Sequence, residues 1–113
     1  MKQHDSRLYL QHMLDSISTI GEYLKNVDES TFRTTSLLQD GVIRQIQIIG
    51  EAAKRVSPEV STKYSDIPWR DIAGMRDKLV HDYFGVDVDM VWVTATVDLP
   101  ELDKQISQIL AEL

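Results

Sequence analysis

The sequence predicts an all-α protein, an antiparallel bundle of four to five helices. Apolar residues recur at steps of three and four along several long segments, which is the spacing of one helix face. Polar or proline-containing stretches separate these segments, and no alternating run has a partner that would make a sheet. A chain of 113 residues is long enough for one core, so we predict a single domain over residues 1–113.

The first helix is predicted from about Ser6 to Asn26. Its apolar face consists of Leu10, Met13, Leu14, Ile17, Ile20, Gly21 and Leu24. The stretch from Val27 to Thr35 is polar and rich in Ser, Thr and Asp, so it is predicted to be a loop.

A second helix is predicted to begin near Ser36, a suitable N-cap, and to end before Pro58. Its core face consists of Leu38, Val42, Ile46, Ile49, Ala53 and Val56. Gly50 and its neighbouring alanines are small, so we expect another element to approach this helix closely. Residues 58–68 are predicted to be irregular, with one helical turn near Val60.

A third helix is predicted to start at Pro68 and to end near Gly85, a typical helix C-terminal signal. The last helix is predicted from about Asp87 to Leu110, with a kink or a break at Pro100. Its apolar residues follow a 3.5-residue period, which favours a helix over a strand in the valine-rich run 88–97. They are Val88, Trp92, Ala95, Leu99, Leu102, Ile106, Ile109 and Leu113.

Composition excludes several classes of protein. The chain has no cysteine, which excludes disulfide scaffolds and thiolate zinc sites. The first residues do not have the apolar run of a signal peptide, and no stretch approaches the ~18 apolar residues of a membrane span. We therefore expect a cytoplasmic protein.

The net charge of −6 argues against binding nucleic acid over the whole surface. Residues 44–84 carry seven basic and six acidic residues, a net of +1. The remainder carries five basic and twelve acidic residues, a net of −7. The acidity thus lies mostly outside the centre of the chain, which permits a local phosphate site there.

The candidate site lies in the segment from Arg76 to Tyr83. On a helix, Asp77 and His81 share a face at i, i+4, so the carboxylate can orient the imidazole. By the same geometry Arg76 and Tyr83 share a face, whereas Arg76 and His81 lie about 140° apart. Arg76, His81 and Tyr83 therefore cannot all converge on one ideal helix. A purely structural role for this histidine and tyrosine stays open at this point.

These residue types suit cleavage of an RNA phosphodiester without a metal or cofactor. A histidine moves protons near neutral pH, and an arginine fork matches phosphate oxygens. The reaction needs one group to take a proton from the 2′-hydroxyl and another to give one to the 5′-oxygen, and His81 is a single histidine. A symmetric dimer would supply two histidines. The other histidines, His4 and His12, are eight residues apart, which does not fit a metal pair on one helix.

The segment resembles the Arg-x4-His-x-Tyr signature of the HEPN superfamily, in particular its HepT-like toxin family. Arg76, His81 and Tyr83 match this signature residue by residue. The flanks are also similar to that family: the helix at 48–53, the lead-in at 67–76, the exit at 83–87, and the Val91-Trp92 start of the last helix. The resemblance extends from about residue 37 onward. Asp77 stands where the family often has asparagine.

The resemblance implies a helical bundle that dimerises with both motifs facing a shared cleft. It implies a metal-independent endoribonuclease, with catalytic Arg76 and His81 tuned by Asp77, that acts as the toxin of a toxin–antitoxin pair. It also implies a partner, a minimal nucleotidyltransferase (MNT-type) antitoxin, that transfers AMP onto Tyr83 and silences the toxin.

Two other hypotheses stay open. In one, the chain is the non-catalytic, helical substrate-binding subunit of a two-component nucleotidyltransferase, which the acidic surface favours. In the other, the chain is a dimerisation bundle with a vestigial motif, which the seven-residue period of the last helix favours.

Overall fold

The computed structural model describes residues 2–81 and 85–113, with side chains from residue 5 onward. Its long elements are α1 (Lys2–Tyr23), α3 (Ser36–Lys54) and a final rod. The rod consists of α7 (Val88–Val93), a π-helical segment (Thr94–Asp98) and α8 (Leu99–Glu112). Short helices connect these elements: α2 (Glu29–Arg33), α4 (Pro58–Lys63), α5 (Trp69–Ala73) and α6 (Met75–Leu79). The strands β1 (Val80–His81) and β2 (Gly85–Val86) form a small antiparallel pair. The predicted all-α class is confirmed.

The core lies where α1 packs against α3 and α8. The predicted apolar faces supply it: their fully buried members are Leu10, Met13, Ile20, Val42, Ile46, Ile49, Leu99, Ile106 and Ile109. Burial of these faces is the main source of the stability of a helical domain of this kind. Among the described helices, none is both long and apolar enough to cross a membrane.

The predicted loop over residues 27–35 contains a helix, so that part of the prediction is wrong. The carboxylate of Asp28 accepts a hydrogen bond from the Thr31 backbone N–H at 2.8 Å and caps the start of α2. The same hydrogen bond lowers the pKa of Asp28. Phe32 is completely buried and its ring lies 5.3 Å from that of Trp92, so α2 is held by packing as well as by its cap.

The last helix continues through Pro100, where a kink or a break was predicted, and a π-helical segment (Thr94–Asp98) lies just before the proline. In a regular α-helix the Pro100 ring would meet the carbonyl four residues earlier. Here the Leu99 N–H donates instead to the Thr94 carbonyl, five residues earlier, which widens the turn just before the proline. The buried residues Val91, Ala95 and Leu99 accordingly follow one another at steps of four.

The predicted close approach at Gly50 is confirmed. A Cβ at this position would lie 3.0 Å from the Ala73 carbonyl oxygen and 3.1 Å from that of Ile72. Both oxygens belong to the end of α5, immediately before α6. The absence of a side chain at Gly50 therefore sets how closely the lead-in to Arg76 packs on α3.

We expect Gly50→Ala to destabilise the protein by about 1–3 kcal/mol, because backbone carbonyls must move to admit the methyl group. Gly21→Ala is the matched control: it also lies inside a long helix, but its Cβ would meet nothing within 4 Å. There alanine should stabilise the helix by roughly 0.5–1 kcal/mol. Urea denaturation of both variants measures the difference, and equal shifts would contradict the tight contact.

Candidate functional site

The motif segment is not one helix, which corrects the prediction of a helix from Pro68 to Gly85. The chain turns at Gly74 between α5 and α6, and the helix ends at Leu79. Val80 adopts an extended conformation (φ −121°, ψ 120°). The carbonyl of Leu79 then accepts a hydrogen bond from Asp87 N–H at 2.8 Å, which ties the end of α6 to the start of α7.

Gly85 was predicted to end a helix, but it lies instead in a strand that pairs antiparallel with Val80–His81. Its φ of +80° lies in the region that glycine adopts without steric cost. It pairs with His81, and Val80 pairs with Val86. Both valines are half-buried and pack on the core, so the alternation of a strand directs His81 to the opposite face. The imidazole is therefore exposed opposite a residue without a side chain.

Arg76 lies on α6, between the core and solvent. Its side chain is 40% exposed, but its Nε is buried and has no hydrogen-bond partner among the residues that the structure describes. A terminal guanidinium nitrogen lies 3.5 Å from the Asp77 carboxylate, at the limit of a hydrogen bond. Among the described residues, Asp77 is the polar partner of the Arg76 guanidinium. The guanidinium thus retains donors that can bind an anion such as a phosphate.

The predicted i, i+4 pairing of Asp77 with His81 is wrong, because the helix ends between them. The Asp77 side chain is 84% exposed and approaches Arg76 instead. Nor does any hydrogen bond or ion pair within the described part of the chain join Arg76 to His81. The structure thus brings Arg76 and Asp77 together and leaves His81 apart on the hairpin. Tyr83 lies outside the described residues.

The surroundings of the motif are mixed in charge. Lys78 lies 3.6 Å from the Asp71 carboxylate, and both side chains are mostly exposed. Asp87 caps α7 by accepting a hydrogen bond from Met90 N–H at 3.2 Å. The strand pair that places His81 was not predicted from the sequence, although the β-branched Val80 and Val86, with Gly85 between them, were a signal for it.

Comparison with known proteins identifies the class to which this helical domain belongs. The model of the family described as "Ribonuclease HepT-like" matches residues 13–109. The chain belongs to this family. The match includes Arg76, Asp77 and His81, and it covers the rest of the motif segment.

Curated relatives support the assignment. The chain is 38% identical to a protein of Thermococcus cleftensis named "Probable ribonuclease HepT", over 89% of this chain and 92% of that one. It is 41% identical to a "Putative RNase" of Caldanaerobacter subterraneus subsp. tengcongensis, over 92% and 93%. It is 47% identical to a "Gamma-glutamylcyclotransferase and putative RNase" of Methanocaldococcus jannaschii, of which it spans 49% of the length. No solved structure is significantly similar to the chain.

Proposed function

We propose that the chain is a metal-independent endoribonuclease and the toxin of a toxin–antitoxin pair that acts on cytoplasmic RNA. The observation that carries this proposal is the incompletely satisfied guanidinium of Arg76, which lies five residues before an exposed histidine in a chain of the HepT-like ribonuclease family. The first group can bind a phosphate and the second can transfer a proton.

The chemistry is a transesterification. The 2′-oxygen of one nucleotide forms a bond to the adjacent phosphorus, and the bond from phosphorus to the 5′-oxygen breaks. The 2′-hydroxyl loses its proton to a base, and the 5′-oxygen receives one from an acid. His81 serves in proton transfer, and Arg76 stabilises the negative charge that develops on the phosphate oxygens. The products are a 2′,3′-cyclic phosphate and a free 5′-hydroxyl.

Two copies of the chain supply both proton-transfer groups. A single His81 cannot be base and acid at once, and the structure gives it no second titratable partner among the described side chains. A two-fold dimer places two motifs in one cleft. In this arrangement Asp77 tunes Arg76, because its carboxylate lies beside the guanidinium.

The purified protein should cleave RNA in the presence of excess EDTA, and the new ends should be cyclic phosphates and 5′-hydroxyls. Gel analysis of a 5′-labelled RNA in excess EDTA measures cleavage and shows the cyclic phosphate on the labelled fragment. Phosphorylation of the downstream fragments by polynucleotide kinase, without prior dephosphorylation, detects the 5′-hydroxyls. If cleavage required a divalent ion, or produced 5′-phosphates, the proposed transesterification would be wrong.

We further propose that an MNT-type nucleotidyltransferase is the antitoxin. It transfers AMP from ATP to the phenol of Tyr83: the phenolic oxygen bonds to the α-phosphorus, pyrophosphate leaves and the phenol loses its proton. The added phosphate brings negative charge and bulk next to Arg76 and His81 in sequence, and the charge repels RNA.

The net charge of −6 favours a second candidate, a helical substrate-binding subunit of a two-component nucleotidyltransferase. Both candidates predict the same partner, so co-purification does not separate them. RNA cleavage by the free, unmodified chain does: its absence, with a nucleotidyltransferase still bound, would favour the second candidate.

A further inference from the structure

An open depression of about 540 Å³ lies between α4 and the start of α5, on the segment that leads to the motif. Its lining includes three hydroxyl groups, an aromatic ring, a guanidinium and a carboxylate, which belong to Ser61, Thr62, Ser65, Trp69, Arg70 and Asp71. An aromatic ring beside a cation is the combination with which proteins bind single-stranded nucleic acid, since the ring stacks on a base and the cation pairs with the backbone.

Trp69 is held in place and is still accessible. Its indole N–H donates to the Tyr64 carbonyl at 3.1 Å, and this hydrogen bond orients the ring. The ring is half-buried, because it packs on the core and also lines the depression. Stacking on a base requires an aromatic side chain that is both fixed and open to the ligand, and Trp69 meets both requirements.

Arg70 supplies a cation at the same depression. Its side chain is exposed, and within the described part of the chain no hydrogen bond or ion pair occupies its guanidinium. The neighbouring carboxylate of Asp71 lies 3.6 Å from the Lys78 ammonium, which balances its charge. The planar guanidinium of Arg70 therefore retains the donors that match phosphate oxygens.

The depression lies close to the motif along the chain. Arg70 precedes Arg76 by six residues, and α5 and α6 span this interval apart from the turn at Gly74. At 1.5 Å per helical residue, the two arginines are roughly 10 Å apart along the backbone. Residues 61–81 carry four basic and three acidic residues, a net of +1 in a chain of net charge −6. A strand of RNA at Arg76 can thus continue to Arg70 without crossing the acidic part of the chain.

We propose that this depression binds a nucleotide of the RNA substrate that flanks the scissile phosphate. The base stacks on Trp69, and its phosphate pairs with Arg70. The exposed hydroxyls of Thr62 and Ser65 bind the ribose, whose 2′-hydroxyl both donates and accepts hydrogen bonds. This inference rests on the proposed function for the class of substrate, single-stranded RNA. It adds residues that hold the strand and take no part in the proton transfer.

Arg70→Gln should weaken RNA binding and reduce its dependence on salt. We expect the dissociation constant to rise by about 3–10-fold, and the slope of its logarithm against that of the salt concentration to fall by about 0.7–1, the value for one lost phosphate contact. Fluorescence anisotropy of a labelled single-stranded oligoribonucleotide measures both. The measurement uses the His81→Ala background, so that the RNA stays intact.

Arg55→Gln is the matched control for Arg70→Gln. It removes the same charge from another exposed arginine, whose guanidinium lies over the Tyr9 ring on α1 at 5.8 Å from the centroid. This arginine does not line the depression, so its variant should keep the salt slope of the parent.

Trp69→Leu should raise the dissociation constant by about 5–100-fold, the usual effect of removing one base-stacking ring. Trp69→Phe should recover most of this affinity, because a phenyl ring stacks although it lacks the indole N–H. A role limited to the hydrogen bond with the Tyr64 carbonyl predicts the opposite, since both variants lose it. Circular dichroism verifies that the variants fold, and should Trp69→Leu not fold, the salt slope of Arg70→Gln decides alone.

The outcomes separate this inference from the proposed function. Unchanged RNA affinity in Arg70→Gln and Trp69→Leu would overturn the inference, and so would a change in salt slope that Arg55→Gln shares. Cleavage by the wild-type chain together with those results would leave the proposed function standing. RNA binding that depends on Trp69 and Arg70, without cleavage by the wild-type chain, would instead contradict the proposed function and support the binding site.

Discussion

His81→Ala is expected to reduce the rate of RNA cleavage by about 10²–10⁴-fold, the usual contribution of a positioned acid or base. The imidazole is exposed on the hairpin, and Gly85 opposite it has no side chain to compete for the space. Substrate can therefore reach it without a rearrangement of the core. Cleavage of a labelled RNA in EDTA, under single-turnover conditions, measures the loss.

His12→Ala is the matched control. His12 is also exposed, but it lies on α1, where its ring meets the edge of Tyr9 at 5.8 Å between centroids. Its replacement should leave the cleavage rate unchanged. Equal activity of the two variants would remove His81 from the mechanism and favour the hypothesis of a vestigial motif.

Tyr83→Phe should abolish the mass increments expected when the chain is co-expressed with the proposed MNT-type nucleotidyltransferase. The phenolic oxygen is the proposed acceptor of AMP, and phenylalanine keeps the ring while removing the nucleophile. Intact-mass spectrometry should show whole AMP units on the wild-type chain and none on the variant. The variant should also remain toxic in the presence of the partner.

Tyr23→Phe provides the control for this experiment. Tyr23 is 39% exposed at the end of α1, so it is a tyrosine that an enzyme could reach. Its variant should carry the same increments as the wild type. Increments that persist in Tyr83→Phe and disappear in Tyr23→Phe would move the modification to α1 and contradict the proposed regulation.

The long helices could be predicted from sequence because a periodic apolar face determines where a helix packs. Leu10 and Ile17 on α1, or Val42 and Ile49 on α3, are buried as that period requires. The close approach at Gly50 was also predictable, since a residue without a side chain inside an apolar helix indicates a neighbour.

The candidate site was less predictable, because tertiary contacts decide its backbone. Arg76 to Leu79 continue a helical pattern, but the pairing of Val80 with Val86 and the hydrogen bond from Asp87 to Leu79 end the helix before His81. Those partners lie six to eight residues further along the chain, beyond the reach of helix spacing. The short helix α2 was missed for a related reason, since its cap and the burial of Phe32 compensate for a polar composition.

The positions of the two tryptophans give the protein a pair of internal optical reporters. Trp69 opens α5, where its indole N–H donates to the Tyr64 carbonyl at 3.1 Å, and Trp92 lies on α7 against Phe32. One precedes the motif segment in the chain and the other follows it. Single-tryptophan variants would therefore report separately, by intrinsic fluorescence, on movements of the helices that come before and after the motif segment.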